Sequence, residues 1–306
     1  MKKFSTLLKL TPVILLIAGC GSSGSNSGSS SGGGSNSNNV SMISSLVGSI
    51  PGVNSAKSQQ ALQFAQVGAK GMDYLDLNSP QRQDEIGQAV AVAITNRYPL
   101  SNDQNLTDYV NLVGLTVASV APNSDINYCF GVLDTQDVGA YSAPGGYVFV
   151  TRGAIALCQD EAELAGVLAH EIAHVALHHG IDAVKAAKGT DTLLSAAKTA
   201  DARAQAYGQF LDTAADTIIV KGYSREQESK ADVQAVKYLE AAGYDSAGLL
   251  RFLQHLQAAT GSGGGMKQLM STHPGTADRV TAVQRQVAAN VGRGATLRER
   301  FAANVK

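Results

Sequence analysis

The sequence predicts an α+β fold that is mainly helical, with one small β-sheet set beside a long helix. Three observations carry this. Beyond residue 80, apolar residues recur at helical steps in several long windows. Three β-prone runs cluster between residues 126 and 151. A helical pattern then opens near Asp160 and carries the string His170-Glu171-Ile172-Ala173-His174.

At 306 residues the chain has room for one large or two small domains. Its hydrophobic content of 44% is ordinary for a globular protein. Net charge is −1, from 24 basic and 25 acidic residues, so no basic block points to nucleic acid. Trp is absent and aromatics make up 6%, which leaves the core to Ala, Val, Leu and Ile. After the N-terminus no apolar run is long enough for a helical membrane span.

The N-terminus reads as an address. Lys2, Lys3 and Lys9 precede the apolar stretch Leu10 to Ile17, the pattern of a secretory signal peptide over residues 1–20. It ends in Leu16-Ile17-Ala18-Gly19-Cys20, which resembles a bacterial lipobox, so Cys20 is the expected lipidation site. Each acyl CH₂ buried in a bilayer contributes about 0.8 kcal/mol, so several chains on one cysteine anchor stably. Gly21 follows, which by resemblance to Gram-negative lipoproteins favours the outer membrane, facing the periplasm. Residues 21–41 form a linker, almost entirely Gly, Ser and Asn up to residue 39; such a segment cannot bury enough surface to fold.

Residues 42–80 hold N-terminal helices, with helical patterns over Val40–Ile50 and Ala56–Leu77. Gln81 to Tyr98 is a further helix, with Ile86, Val90, Ala93 and Ile94 on one face and Pro99 as its stop. Asn105 to Val120 is another, with Leu106, Val110, Val113, Val117 and Val120 along one side. Ile126–Leu133 and Val138–Ser142 read as strands. Pro144-Gly145-Gly146 is a turn signal, and Tyr147–Thr151 a third strand. A strand beside a long helix either binds an extended peptide through its backbone or simply belongs to the core. Cys129 and Cys158 either form a disulfide or never meet.

Two histidines four apart stand on one helix face, so both imidazoles can converge on one metal ion, for which Zn²⁺ is the usual guest. Glu171 sits where it can take a proton from a water on that ion. The competing reading is a chance match on a buried amphipathic helix. A catalytic zinc takes three protein ligands and keeps one position open. Downstream, Glu228 and Asp232 are four apart in a helical pattern. Glu228 is a candidate third ligand, with Glu226 as its competitor. Asp232, one turn on, is placed to accept a hydrogen bond from the outer nitrogen of a ligating imidazole.

Three separated stretches carry a resemblance. They are Pro144–Gly153 followed by Glu161–His174, then Glu228 to Asp232 as E-x-x-x-D, and then Thr272-His273-Pro274 with Arg279. Together, over roughly residues 81–290, they resemble the HtpX-like and CAAX-protease-like zinc metallopeptidases, which include a periplasmic BepA-like branch. The resemblance implies a zincin-like (gluzincin) metallopeptidase domain over 81–290. It implies His170, His174 and Glu228 as ligands to one Zn²⁺ and Glu171 as general base. It also implies His273 and Arg279 as catalytic groups near the substrate or its oxyanion. The implied partners are polypeptides, above all misfolded or unassembled envelope proteins. A periplasmic chaperone or assembly factor on a peptidase scaffold is the alternative.

His178 continues the 170/174 stripe, which would crowd the metal; the preferred reading is that it and His179 cap the end of the metal-motif helix before Gly180, and His255 is read as structural. Gly261 to Gly265 is a flexible break, expected to let the His273 segment open and close over the metal. Residues 291–306 form a short tail.

Overall fold

The computed structural model describes residues 77–122, 126–186, 200–259, 272–288 and 292–305. The expected signal peptide, Cys20, the linker, the helix Val40–Ile50, nearly all of Ala56–Leu77 and the Gly261–Gly265 break lie outside the described residues.

Helix α1, Pro80–Arg97, opens with Pro80 at a first-turn position, where a missing N–H costs nothing, and buries Ile86, Val90 and Ile94. Helix α2, Gln104–Ala118, starts on Asp103, whose side chain accepts the Leu106 N–H at 3.1 Å. Its apolar stripe buries Leu106, Tyr109, Val110, Val113 and Val117.

Three strands follow: β1 Cys129–Leu133, β2 Ala140–Ala143 and β3 Tyr147–Thr151. The sheet order is β1-β3-β2, with β1 parallel and β2 antiparallel to β3. β1 begins at Cys129, later than the β-prone run at Ile126, because its partner begins at Tyr147, the residue opposite Cys129. Side chains alternate between two cores. Val148 and Val150, with Phe130 and Val132, join the core shared with α2. Tyr147 and Phe149, with Leu133 and Tyr141, join Ile86, Val90 and Ile94 of α1. A sheet covered on both faces explains why β3 reads as a continuous apolar run.

After the short helix α3, Arg152–Leu157, comes α4, Glu161–Ala176, all of whose residues are buried. The further described helices are α5 His179–Ala186, α6 Ala200–Asp216, α7 Arg225–Ala241, α8 Gly248–Ala259, α9 Thr276–Val287 and α10 Arg298–Asn304; α7 and α8 pack most closely on α4, α9 packs on α7 and α8, and α6 packs on α1. A π turn, Thr217–Lys221, joins α6 to the segment before α7. α8 approaches α4 through glycine. A Cβ on Gly248 would stand 2.1 Å from the Ala162 carbonyl oxygen, so only glycine fits there. Among the described residues no helix is long and apolar enough to cross a membrane.

The start of α4 holds buried acids, each with partners. Glu161 accepts hydrogen bonds from Tyr109 at 2.9 Å, Tyr244 at 2.7 Å and the Arg300 guanidinium. Arg251 donates to Asp160, Glu163 and Asp245, and His255 Nδ1 lies 3.1 Å from Glu163, a structural place for that histidine. Burial alone would raise the Glu161 carboxyl, but Arg300, Tyr244 and Tyr109 outweigh it and hold its pKa below the usual range. A depressed folded pKa contributes stability above the unfolded value, about 4.3 for Glu, and that contribution is lost as pH falls through the folded value. The stability penalty of Arg300→Ala in urea unfolding is therefore expected to be full at neutral pH and to shrink as pH falls below the unfolded glutamate value and through the depressed folded one. A penalty that does not change with pH would assign Arg300 to packing alone.

Cys158 is a free, buried thiol, so it is not bridged to Cys129. Burial, then the nearby Glu163 and Asp160 charges, push its pKa up and leave it unreactive.

Candidate metal centre

α4 presents His170 and His174 one turn apart, both buried, with Glu171 beside them. α7 packs against α4 and brings Glu228 to the two rings. Its start is fixed by a reciprocal cap, in which Ser224 accepts from the Gln227 N–H and the Gln227 side chain accepts from the Ser224 N–H. Gly222, at φ +66°, passes so close to Thr272 that a Cβ would stand 2.0 Å from its carbonyl oxygen. The Tyr223 N–H then donates to the same Thr272 oxygen at 3.0 Å, which seats His273 against the centre.

His170, His174, Glu228 and His273 offer ligand atoms that all lie within 4.8 Å of one another. The two Nε2 atoms of His170 and His174 are 3.0 Å apart. Glu228 Oε2 lies 3.4 Å from His170 Nε2, and Glu228 Oε1 lies 3.4 Å from His174 Nε2. His273 Nδ1 stands 3.0 Å from Glu228 Oε1 and 3.4 Å from His170 Nε2. Tetrahedral ligands at about 2.0–2.1 Å from a zinc ion stand roughly 3.3 Å from one another. The donor set and its spacing therefore fit that ion. Glu171 Oε2 is buried without a hydrogen-bond partner, and Oε1 is 3.6 Å from His273 Nε2. An orphaned carboxylate oxygen beside such a cluster is placed to receive a proton from a water between them.

Around the cluster lies a second ring of contacts. Asp232 Oδ1 is 3.0 Å from His170 Nδ1. Arg279 donates through Nε and Nη2 to the two Asp232 oxygens, at 2.8 and 2.7 Å, and its Nη1 is 2.8 Å from Glu228 Oε2. His179 Nδ1 lies 3.0 Å from His174 Nδ1. The Tyr223 ring stacks on His174 with centroids 4.0 Å apart and planes 18° apart.

The charges follow from burial and pairing. Burial and the Arg279 charge act to lower His170, but Asp232 and Glu228 outweigh them and lift it to about 9. His170 must therefore shed a proton before Nε2 can serve as a ligand. Burial holds His174 well below the usual histidine value, and burial with the His170 charge brings His179 to about 4. Burial would raise Asp232, but Arg279 and His170 bring it to about 2; burial would raise Glu228 too, but the His273 and Arg279 charges hold it well below the usual carboxylate range. Burial and the Glu171 charge push the Tyr223 phenol up.

Of the residues singled out in the sequence, His170, Glu171, His174, Glu228, Asp232, His273 and Arg279 meet in one place, and Cys20 lies outside the described residues. Glu226, the competing ligand, is exposed and pairs with Lys230 at 2.7 Å. Arg279 turns its donors onto two carboxylates, because those buried charges need a cation, and it also lines the cavity that His170 and Glu171 line. His273 stands among the ligand atoms rather than apart from them. His178 does end α4, in a left-handed conformation at φ +57°. His179 does not cap that helix: it begins α5 and folds its ring back onto His174. Sequence reading missed this contact and the Tyr223 stack. The only signals were a histidine five residues beyond His174 and an aromatic after Gly222.

Comparison with known proteins agrees with this geometry. The profile of Peptidase family M48 matches residues 104–287, more than half of the chain. A putative beta-barrel assembly-enhancing protease of Vibrio cholerae is 27% identical over 202 residues, covering 64% of this chain and 42% of that protein. The mitochondrial metalloendopeptidase OMA1 of Schizosaccharomyces pombe is 27% identical over 178 residues, 58% of this chain and 52% of its own. Metalloprotease YcaL of Escherichia coli is 30% identical over 164 residues, 53% of this chain and 63% of its own. The chain thus spans about half the length of the relatives it matches. With the profile spanning α2 to α9 and the buried cluster inside that span, the chain belongs to peptidase family M48 and carries its metallopeptidase domain.

Proposed function

We propose that this chain is a zinc-dependent endopeptidase that hydrolyses polypeptides of the periplasm or outer membrane in envelope quality control. It would be anchored through lipid on Cys20 to the outer membrane of a Gram-negative bacterium. The observation that carries the reading is the convergence of His170, His174 and Glu228 beside a buried Glu171 oxygen that has no partner. The envelope setting is supported by the name of the Vibrio relative and by the lipobox-like N-terminus.

His170, His174 and Glu228 would hold the ion. When bound, zinc supplies a Lewis acid and a water acidic enough to ionise near neutral pH. Glu171 takes the proton of the attacking water and returns it to the leaving nitrogen. Asp232 fixes the His170 ring through Nδ1, and Arg279 fixes Asp232 and Glu228. His273, with Nε2 near Glu171, occupies the position that a substrate carbonyl must share or displace.

Among the described residues β2 is an edge strand of the sheet. Gly139 and Ala140 line a cavity with His170 and Glu171, while Ser142 and Ala143 line another with His174 and Tyr223. A substrate strand laid along β2 thus crosses the centre from one cavity to the other. Val167, Leu249, Phe252, Leu253 and Leu256 make the first cavity apolar, which suits an apolar substrate side chain there.

Cleavage of an unfolded envelope protein is expected to stop when a chelator strips the chain and to return on adding zinc. Cleavage that persists after complete metal removal would sink the proposal. A holding or assembly role is the second reading, favoured by the Vibrio relative's name. It predicts that substrate binding and any assembly function survive chelation.

A further inference from the structure

The geometry points to His179 as the positioning residue for His174. This inference rests on His174 being a metal ligand, as proposed above, and it assigns His179 a role toward that metal.

His174 turns Nε2 toward the cluster, within 3.0 Å of His170 Nε2 and 3.4 Å of Glu228 Oε1. Its outer nitrogen is therefore Nδ1. To offer a lone pair on Nε2, a neutral imidazole must carry its proton on Nδ1, and that buried proton needs an acceptor. His179 Nδ1 stands 3.0 Å away, so it accepts the bond and keeps its own proton on Nε2. His170 is oriented by a carboxylate, Asp232, whereas His174 is oriented by an uncharged ring. The centre thus gains a fixed tautomer at its second histidine without adding a further negative charge to the buried carboxylates Glu171, Glu228 and Asp232.

The backbone is built for this contact. α4 ends at Ala176, and His178 adopts a left-handed conformation at φ +57°. That turn reverses the chain within two residues, so α5 begins at His179 with its ring facing back onto α4. The conformation is costly for a residue with a Cβ, and the Gln83 side chain, 3.1 Å from His178 Nδ1, helps hold it. The His179 carbonyl accepts from Gln227 Nε2 at 3.4 Å. Gln227 precedes Glu228, so His179 touches a candidate ligand through its ring and the neighbour of another through its main chain. Tyr223, stacked on the His174 face, limits tilt but offers no acceptor to Nδ1.

The test is a zinc titration of the full chain against a chromophoric chelator, with the Co²⁺ absorption spectrum as second readout. Three variants are compared: His179→Ala, His179→Phe and His179→Asn. Asparagine can place an amide oxygen near the Nδ1 position, and phenylalanine keeps a ring without an acceptor. Alanine and phenylalanine variants are expected to bind zinc ~10–100-fold more weakly and to shift the Co²⁺ bands. The asparagine variant is expected to stay within about threefold of wild type, as an outer partner supplied by another acceptor should. Wild-type affinity in the phenylalanine variant, or equal loss in phenylalanine and asparagine variants, would overturn the assignment. If the alanine variant does not fold, the phenylalanine and asparagine pair decides alone. His174→Ala in the same titration separates the two questions, since unchanged zinc affinity there would reject His174 as a ligand.

Discussion

Glu171→Gln is expected to keep zinc and lose peptide hydrolysis. The amide has nearly the same shape as the carboxylate but cannot take a proton at neutral pH. Glu171 is not among the residues whose ligand atoms converge, so metal content should not change. Its Oε2 has no hydrogen-bond partner, so the amide NH₂ replaces an unpartnered oxygen and breaks no existing bond. General-base assistance contributes about 10²–10⁴-fold to rate, and kcat should fall by at least that much. KM for a peptide that fits the cleft should change little. Zinc-loaded Glu171→Gln protein that cleaves at the wild-type rate would reassign the base, with His273 next in line because its Nε2 is 3.6 Å from Glu171 Oε1.

The second large effect is on stability. Arg279→Met removes a buried guanidinium and leaves Asp232 and Glu228 facing each other across the centre. Arg279 is 7% exposed and the carboxylates 2% and 0%, so water cannot replace the lost cation. Breaking such a buried arrangement by removing one partner costs about 3–5 kcal/mol. Metal-free Arg279→Met protein should unfold at markedly lower urea than metal-free wild type. Added zinc should recover part of the loss, since an ion held by Glu228 supplies positive charge where the arginine did. An unchanged midpoint in the metal-free state would mean that the carboxylates protonate at little cost, and that Arg279 is not their main counter-charge.

Much of this centre was legible before any coordinates, and the reason is local. A helix converts a spacing of four into a shared face, so His170 with His174, and Glu228 with Asp232, could be paired on paper. That α7 lies against α4 was not legible from spacing. It follows from packing between His170 and His174 on one helix and Glu228, 54 residues beyond His174, on another, and the motif resemblance supplied it instead. Strand positions were readable to within a few residues, because β-prone runs and the Pro144-Gly145-Gly146 turn mark them. Their exact ends were set by the partner strand, which no single run encodes. The pairing of Arg279 with Asp232 and Glu228 was not legible, because a sequence does not show how many buried carboxylates surround a guanidinium. His179 was misread because a helix-end histidine followed by glycine suggests a solvent-facing cap. Only the left-handed turn at His178 shows that the ring points inward.

The tie between Arg300 and Glu161 bears on the order in which the protein is made. Glu161 begins the helix that carries both metal-motif histidines, yet its counter-charge arrives 139 residues later. A chain emerging residue by residue from a ribosome therefore holds an acid without its arginine partner at the base of that helix until residue 300 appears. His273 and Arg279 likewise follow His170 by 103 and 109 residues, so the buried ring of contacts around the metal centre closes only after both have been made.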